Sequence, residues 1–154
     1  MICFLGLGSN LGDKQSNLQK AIADIAERIG ILSAMSSMYE TKPWGFSSHH
    51  TFLNQVVCVD TILTPEEILK ESKAIEKGIG RLKKTGNRYE DRLIDIDILF
   101  YGNLILNTEE LTLPHPLLHE RAFVLKGLNE LAPELVHPVL KQSVSTLYSS
   151  MLRQ

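Results

Sequence analysis

Asp95 and Asp97 occupy alternate positions in the apolar run RLIDIDILF, residues 92–100, so a strand with a two-residue period places both carboxylates on one face. Leu93 and Leu99 share that face, and Ile94, Ile96, Ile98 and Phe100 are expected on the other. At a rise of about 3.3 Å per residue the two acids stand about 7 Å apart at Cα, close enough for their side chains to converge on hard cations. Paired metals about 3.5–4 Å apart are a recurrent device for displacement at phosphorus. A strand face bearing two solvated acids is the plain alternative, although Asp is disfavoured in strands and two in alternation ask for a reason.

Just upstream, Arg81, Lys83, Lys84, Arg88 and Arg92 accumulate where the apolar pattern fails. Acids that hold a cation and guanidinium groups that neutralise phosphate oxygens are together what a metal-bound polyphosphate needs. A basic surface loop balanced by Glu90 and Asp91 would read the same way. The opening Gly6-Leu-Gly-Ser-Asn-Leu-Gly12 fails the tests for a nucleotide loop, since Leu11 replaces the third small residue and no Gly-Lys-Ser/Thr follows. It reads as a structural turn. His115 lies between Pro114 and Pro116, and His119 follows at a spacing that also suits a metal pair. No cysteine or third histidine lies close in sequence to complete a zinc site.

The elements that must position these residues alternate between periods of two and about 3.6. Ile2 to Leu7 predicts a buried strand, and Leu18, Ile22, Ile25 and Ile29 mark one helical face that Gly30 is placed to end. Residues 31–40 suggest a strand, residues 41–51 an irregular loop, and residues 52–61 a further strand. Thr64-Pro65-Glu66-Glu67 is a helix start with a capping residue, Pro at the first position and Glu at the third. Ile68, Leu69, Ser72, Ile75 and Ile79 then form its inner face. Residues 80–92 predict an exposed mobile loop, and residues 92–102 the acidic strand. A turn at Gly102-Asn103 leads into a short return strand, residues 114–131 contain a helix carrying His119, Arg121 and Phe123, and a last short helix closes the core. The order strand, helix, strand, strand, helix, strand predicts an α+β fold, a ferredoxin-like antiparallel sheet (βαββαβ-type core) with helices on one face.

With 154 residues and 44% hydrophobic content, one core and one domain spanning residues 1–154 are expected. Sixteen basic and eighteen acidic residues give a net charge of −2, which leaves no global field to hold nucleic acid or an anionic membrane. Cys3 and Cys58 sit in strand-like stretches as buried thiols, no run approaches a membrane span, and the first residues lack the marks of a signal peptide. A cytoplasmic monomer is the expectation.

Five blocks in order, LGLGSNLGD, YETKPWG with FLNQVV, RLIDIDIL, LPHP and ERAFVL, cover nearly the whole chain. In these the chain resembles the 6-hydroxymethyl-7,8-dihydropterin pyrophosphokinase family. The resemblance implies an enzyme of folate biosynthesis that moves the terminal diphosphate of ATP onto the pterin's hydroxymethyl oxygen and releases AMP. It further implies that Asp95 and Asp97 hold two Mg2+ ions bridged by ATP, and that Arg81, Arg92, His115 and Arg121 contact phosphates. By the same resemblance Leu111, Thr112 and Ile98 border the adenine. Thr41, Pro43 and Trp44 line one wall of the pterin site, Asn54 bonds the heterocycle, and Phe52 and Phe123 stack on its faces. Aromatic faces and fixed donors and acceptors suit a flat heterocycle with a polar edge, although Phe52 and Phe123 also read as core residues. Tyr89-Glu90-Asp91-Arg92 stands where many members have Trp-Gly-Pro-Arg, Pro116 where some have Tyr, and Lys73 where some have Gln. The rival from another class is a non-catalytic nucleotide- or RNA-binding module on the same sheet. That reading needs exposed aromatics and a basic face, against an aromatic content of 6%.

Overall fold

The computed structural model describes residues 1–42, 51–80 and 93–154. β1 (Ile2–Ser9) leads to α1 (Lys14–Arg28), β2 (Ile31–Met35), β3 (Tyr39–Thr41) and β4 (Phe52–Asp60). α2 (Pro65–Ile79) and β5 (Asp95–Tyr101) follow, then the short pair β6 (Leu106–Asn107) and β7 (Thr112–Leu113), and finally α3 (Ala122–Leu131) and α4 (Val144–Leu152). The main sheet runs in the order β2-β4-β1-β5, with β3 also on β4. β1 lies antiparallel between β4 and β5, which is the βαββαβ arrangement expected from the element order.

The predicted strand over residues 31–40 is two strands. β2 pairs with the end of β4 and β3 with its start, and Ser36 stands at the break. Its N–H donates to the Val56 carbonyl at 2.8 Å, its Oγ accepts from the Val56 N–H at 2.9 Å, and its carbonyl accepts from Gln55 Nε2 at 2.7 Å. A side-chain oxygen thus replaces one rung of the ladder, and β4 keeps its partners.

Helices cover both faces of the sheet, not one. On the first face Leu18, Ala21 and Ile25 of α1 and Ile68 and Ile75 of α2 pack on Cys3, Leu5, Leu7, Val57, Val59, Ile96 and Ile98. On the second, Val124, Leu125 and Leu128 of α3 and Val144 and Leu147 of α4 pack on Phe4, Val56, Cys58, Leu99 and Phe100. The expected single layer is therefore corrected: the apolar residues of β4 run unbroken from Val56 to Val59, which demands burial on both sides. Cys3 and Cys58 are buried free thiols in opposite layers, and burial pushes the Cys3 thiol up to about 12.

Strict alternation along β5 also gives way. Leu5 pairs with Ile98 but Phe4 pairs with Phe100, so a bulge at Leu99 sends both Leu99 and Phe100 to the second face. Phe100, expected with the isoleucines, packs edge-on against Phe4 with centroids 6.3 Å apart. The start of α2 is as predicted, with Thr64 Oγ1 accepting from the Glu67 N–H and Glu67 Oε1 from the Thr64 N–H. α1 is capped by Ile29 and not by Gly30. Gly102, at φ 53°, makes the expected turn, but the return strand β6 pairs with β7 and not with β5.

Candidate functional site

β1 runs on to Ser9, so Gly6 and Gly8 belong to the strand, and the turn that was expected of them begins only after it. Gly8 pairs with Asp95 on one side and with Asn54 on the other; Gly6 likewise pairs with Asp97 and Val56. Directly opposed residues share a face, which puts Asp95, Gly8 and Asn54 in one row across three strands and Asp97, Gly6 and Val56 in the next. A Cβ on Gly8 would lie 3.2 Å from Asn54 Oδ1 and 3.5 Å from the Phe52 ring. The glycines therefore leave a bare floor between the acids of β5 and the Phe52-Asn54 segment of β4. Both acids are half-buried on the face that carries Leu99, as the period-two reading predicted.

α3 closes over this floor from one side. Arg121 is its extended N-terminal cap, and Arg121 Nη1 lies 3.5 Å from Asp97 Oδ2. Phe123 in the first turn packs against the second core cluster. His119, expected on this helix, lies on a preceding 3-10 turn over Leu118–Glu120. His115 is tied to β5 through its own N–H, which donates to the Leu99 carbonyl at 3.0 Å, while its Nδ1 accepts from the Leu117 N–H at 3.2 Å. Burial first, then the Arg121 charge, lowers the His115 imidazole to about 4, with Asp95 pulling weakly the other way. His115 is neutral near pH 7 and, with Nδ1 accepting, offers Nε2–H as a donor.

The opposite wall is built on β3 and β4. Asn54 Nδ2 donates to Thr41 Oγ1 at 2.7 Å and to the Tyr39 carbonyl at 3.3 Å, which fixes the amide and turns Oδ1 over Gly8. Glu130 at the end of α3 accepts from the Ser37 N–H at 2.8 Å, from Ser37 Oγ at 2.7 Å and from the Tyr39 hydroxyl at 2.5 Å. The Tyr39 bond first, then those from Ser37, hold the Glu130 carboxyl below its usual range. Lys126 lies over the Tyr39 ring at 4.6 Å. One helix thus carries Arg121 and Phe123 and is pinned to the strand bearing Thr41.

The structure brings together Asp95, Asp97, His115 and Arg121, and across the glycine floor Thr41, Phe52 and Asn54. Pro43, Trp44, Arg81 and Arg92 lie outside the described residues, as do most of the loop expected over residues 80–92 and most of that expected over residues 41–51. Ile98 is 4% exposed, with its side chain in the first core layer, so only its backbone at the sheet edge can border a ligand. Leu111 uses its N–H and carbonyl in a turn with Thr108, while Thr112 pairs with Asn107 in the small sheet.

Two features escaped the sequence reading. The glycine floor shows only once the register is known. Glu76 is 5% exposed, and its position four residues after Ser72 and one after Ile75 put a charge on the inner face of α2. That misplaced charge was a readable signal.

Among the described residues no group of three or more His, Cys, Asp or Glu could hold a metal ion. Two hard carboxylate oxygens on adjacent rows, with an arginine beside them, fit magnesium, which keeps most of its ligands as water and substrate phosphate. No helix among the described residues is long and apolar enough to cross a membrane.

The family described as 7,8-dihydro-6-hydroxymethylpterin-pyrophosphokinase matches residues 4–133. The 2-amino-4-hydroxy-6-hydroxymethyldihydropteridine pyrophosphokinase of Porphyromonas gingivalis is 47% identical over 139 residues, which cover 89% of this chain and 94% of that protein. The protein of the same name from Aquifex aeolicus is 40% identical over 139 residues, covering 90% and 85%. Among solved structures, the wild-type Plasmodium falciparum HPPK-DHPS chain with pteroate superposes with a TM-score of 0.79 at 17% identity. That match covers 99% of this chain and 44% of the longer one, and it shows the shared fold.

Proposed function

The chain belongs to the 7,8-dihydro-6-hydroxymethylpterin-pyrophosphokinase family, and on that premise we propose how its own residues move the diphosphate of ATP onto the pterin. The reaction is a step of folate biosynthesis with ATP as co-substrate. The observation that carries the assignment of residues is the pair of rows across β5, β1 and β4. Asp95 and Asp97 stand at one side of a glycine floor, and Asn54 and Phe52 at the other, so a nucleotide's phosphates and a flat heterocycle meet over β1.

Asp95 and Asp97 would hold the two magnesium ions, whose positive charge would supply shielding for the transferring diphosphate. Arg121, placed by Asp97 and by the start of α3, contacts a phosphate oxygen, and neutral His115 donates Nε2–H to another. Arg81 and Arg92 neutralise charge as it moves toward the departing AMP. The Thr112 and Ile98 backbones, with Leu111 beside them, border the adenine. Thr41, with Pro43 and Trp44, walls the pterin; Asn54 Oδ1 accepts from its polar edge, and Phe52 and Phe123 take its two faces.

The pterin hydroxymethyl oxygen attacks the β-phosphorus, the bond to the α-phosphate oxygen breaks, and AMP leaves. Held in this way the two substrates react as neighbours, and most of the rate comes from positioning and charge neutralisation. Asp97 or water takes the hydroxyl proton, and Asp97→Asn with unchanged activity would leave water. The paired acids beside the glycine floor oppose a nucleic-acid partner, and a monomeric, single-domain enzyme of the cytoplasm is the setting that fits.

Calorimetry with α,β-methylene-ATP and with the pterin tests the division of the floor. Asp97→Ala should lose magnesium-dependent binding of the ATP analogue and keep pterin binding, and Asn54→Ala should do the reverse. Equal losses of both ligands in both variants would contradict the assignment.

A further inference from the structure

β5 ends the order β2-β4-β1-β5, so one of its edges faces away from the sheet. In an antiparallel ladder successive N–H groups point to alternate edges. The N–H of Ile96, between Asp95 and Asp97, is directed to that outer edge, where it donates to Glu76 Oε2 at 2.8 Å. The bond is buried, and Glu76 itself is 5% exposed among Ile68, Ser72 and Ile75 on the inner face of α2. Holding a carboxylate at a position that a helix would ordinarily fill with an apolar residue is costly, and stability alone gives no reason to favour it over a leucine.

We propose that Glu76 is a positioning residue for the acidic pair, fixing the Asp95–Ile96 peptide in the stretch that joins the two acids and thereby the aim of both carboxylates. The inference rests on Asp95 and Asp97 as the magnesium holders. The two acids leave the backbone on either side of Ile96, so a peptide that rocks about the strand axis swings both. The bond from Ile96 to Glu76 holds the strand from the opposite edge, and it ties the site to α2, whose capping box and buried isoleucines make it a rigid support. Partners that orient metal-holding groups commonly change metal affinity about 10- to 100-fold when removed.

Two conservative changes separate reach from charge. Glu76→Gln keeps a carbonyl acceptor at the same distance and removes the charge; Glu76→Asp keeps the charge and shortens the side chain by one methylene. Mn2+ binding with α,β-methylene-ATP, followed by electron paramagnetic resonance, is read beside calorimetric pterin binding in wild type, both variants and Asp95→Ala. The expected result is that Glu76→Gln binds Mn2+ like wild type, while Glu76→Asp weakens it about tenfold with pterin binding unchanged. Mn2+ binding lost in Glu76→Gln, or retained in Glu76→Asp, would overturn the proposal. If Glu76→Asp fails to fold, Glu76→Leu, which fills the same buried position without an acceptor, takes its place: weakened Mn2+ binding there supports the positioning role, and binding like wild type overturns it. Asp95→Ala separates the two levels, because undiminished Mn2+ binding there would remove the acidic-pair reading itself, whereas its loss beside an unaffected Glu76→Asp removes only the role of Glu76.

Discussion

Asp95 and Asp97 each face a glycine on β1, and beyond those glycines the sheet presents Asn54 and Phe52. At this scale the proposed division of these side chains between two ligands predicts that substitution separates them. Phe52→Ala and Phe123→Ala are expected to weaken pterin binding by about 0.5–1.5 kcal/mol beyond the lost contact area, while ATP-magnesium binding stays near wild type. Calorimetry of each ligand alone checks this, and equal losses would make both rings core residues. The acidic pair was legible in the sequence because residues 95–98 obey the two-residue period without interruption. Asn54 and the phenylalanines gained their roles only from the family resemblance. Nothing in their spacing states that residues 8, 54 and 95 form one row, since that depends on pairings between strands far apart in the chain.

The elements matter through how closely they approach. Gly127 faces β4 from α3, and a Cβ there would meet Val56 Cγ2 at 2.5 Å. Gly127→Ala should lift α3 from the sheet, costing about 1–3 kcal/mol in denaturant unfolding and carrying Arg121 and Phe123 off their positions, so pterin affinity falls as well. Full stability in that variant would show that the helix can shift freely. The connection before α4 depends on His137, which is 5% exposed and whose Nδ1 accepts from the N–H groups of Val139 and Leu140. Burial first, then His119, lowers its pKa below the ordinary 6.5. The unfolded chain therefore binds the proton more readily, and this share of stability is present above pH 6.5 and lost as the pH falls below it. Melting temperatures at pH 7.5 and pH 5 should differ more in wild type than in His137→Asn, which keeps an acceptor but does not titrate; identical shifts would exclude His137 as a source. The capping box of α2 was legible because it is local, four residues that satisfy one another. The bulge at Leu99 and the break at Ser36 were not, because each answers a partner strand, through Phe4 and Val56 respectively.

For the whole molecule, the two helical layers have different tasks. α1 and α2 form the support beneath the acidic strand, and α3 and α4 cover the face that carries Asp95 and Asp97, with Glu130 binding α3 to the edge that carries Thr41. The element order alone suggested one layer, since the second is built from the last third of the chain, after the βαββαβ pattern is complete. The central claim is that this assembly transfers diphosphate directly and that the acidic pair makes the transfer possible. Phosphorus magnetic resonance of purified protein with ATP, magnesium and 6-hydroxymethyl-7,8-dihydropterin follows the products in one experiment. AMP and the pterin diphosphate should appear together in equal amounts, with both rates falling at least about 10²-fold in Asp95→Ala and Asp97→Ala at saturating magnesium. Release of ADP in place of AMP, or Asp variants that keep most of their activity, would contradict the account.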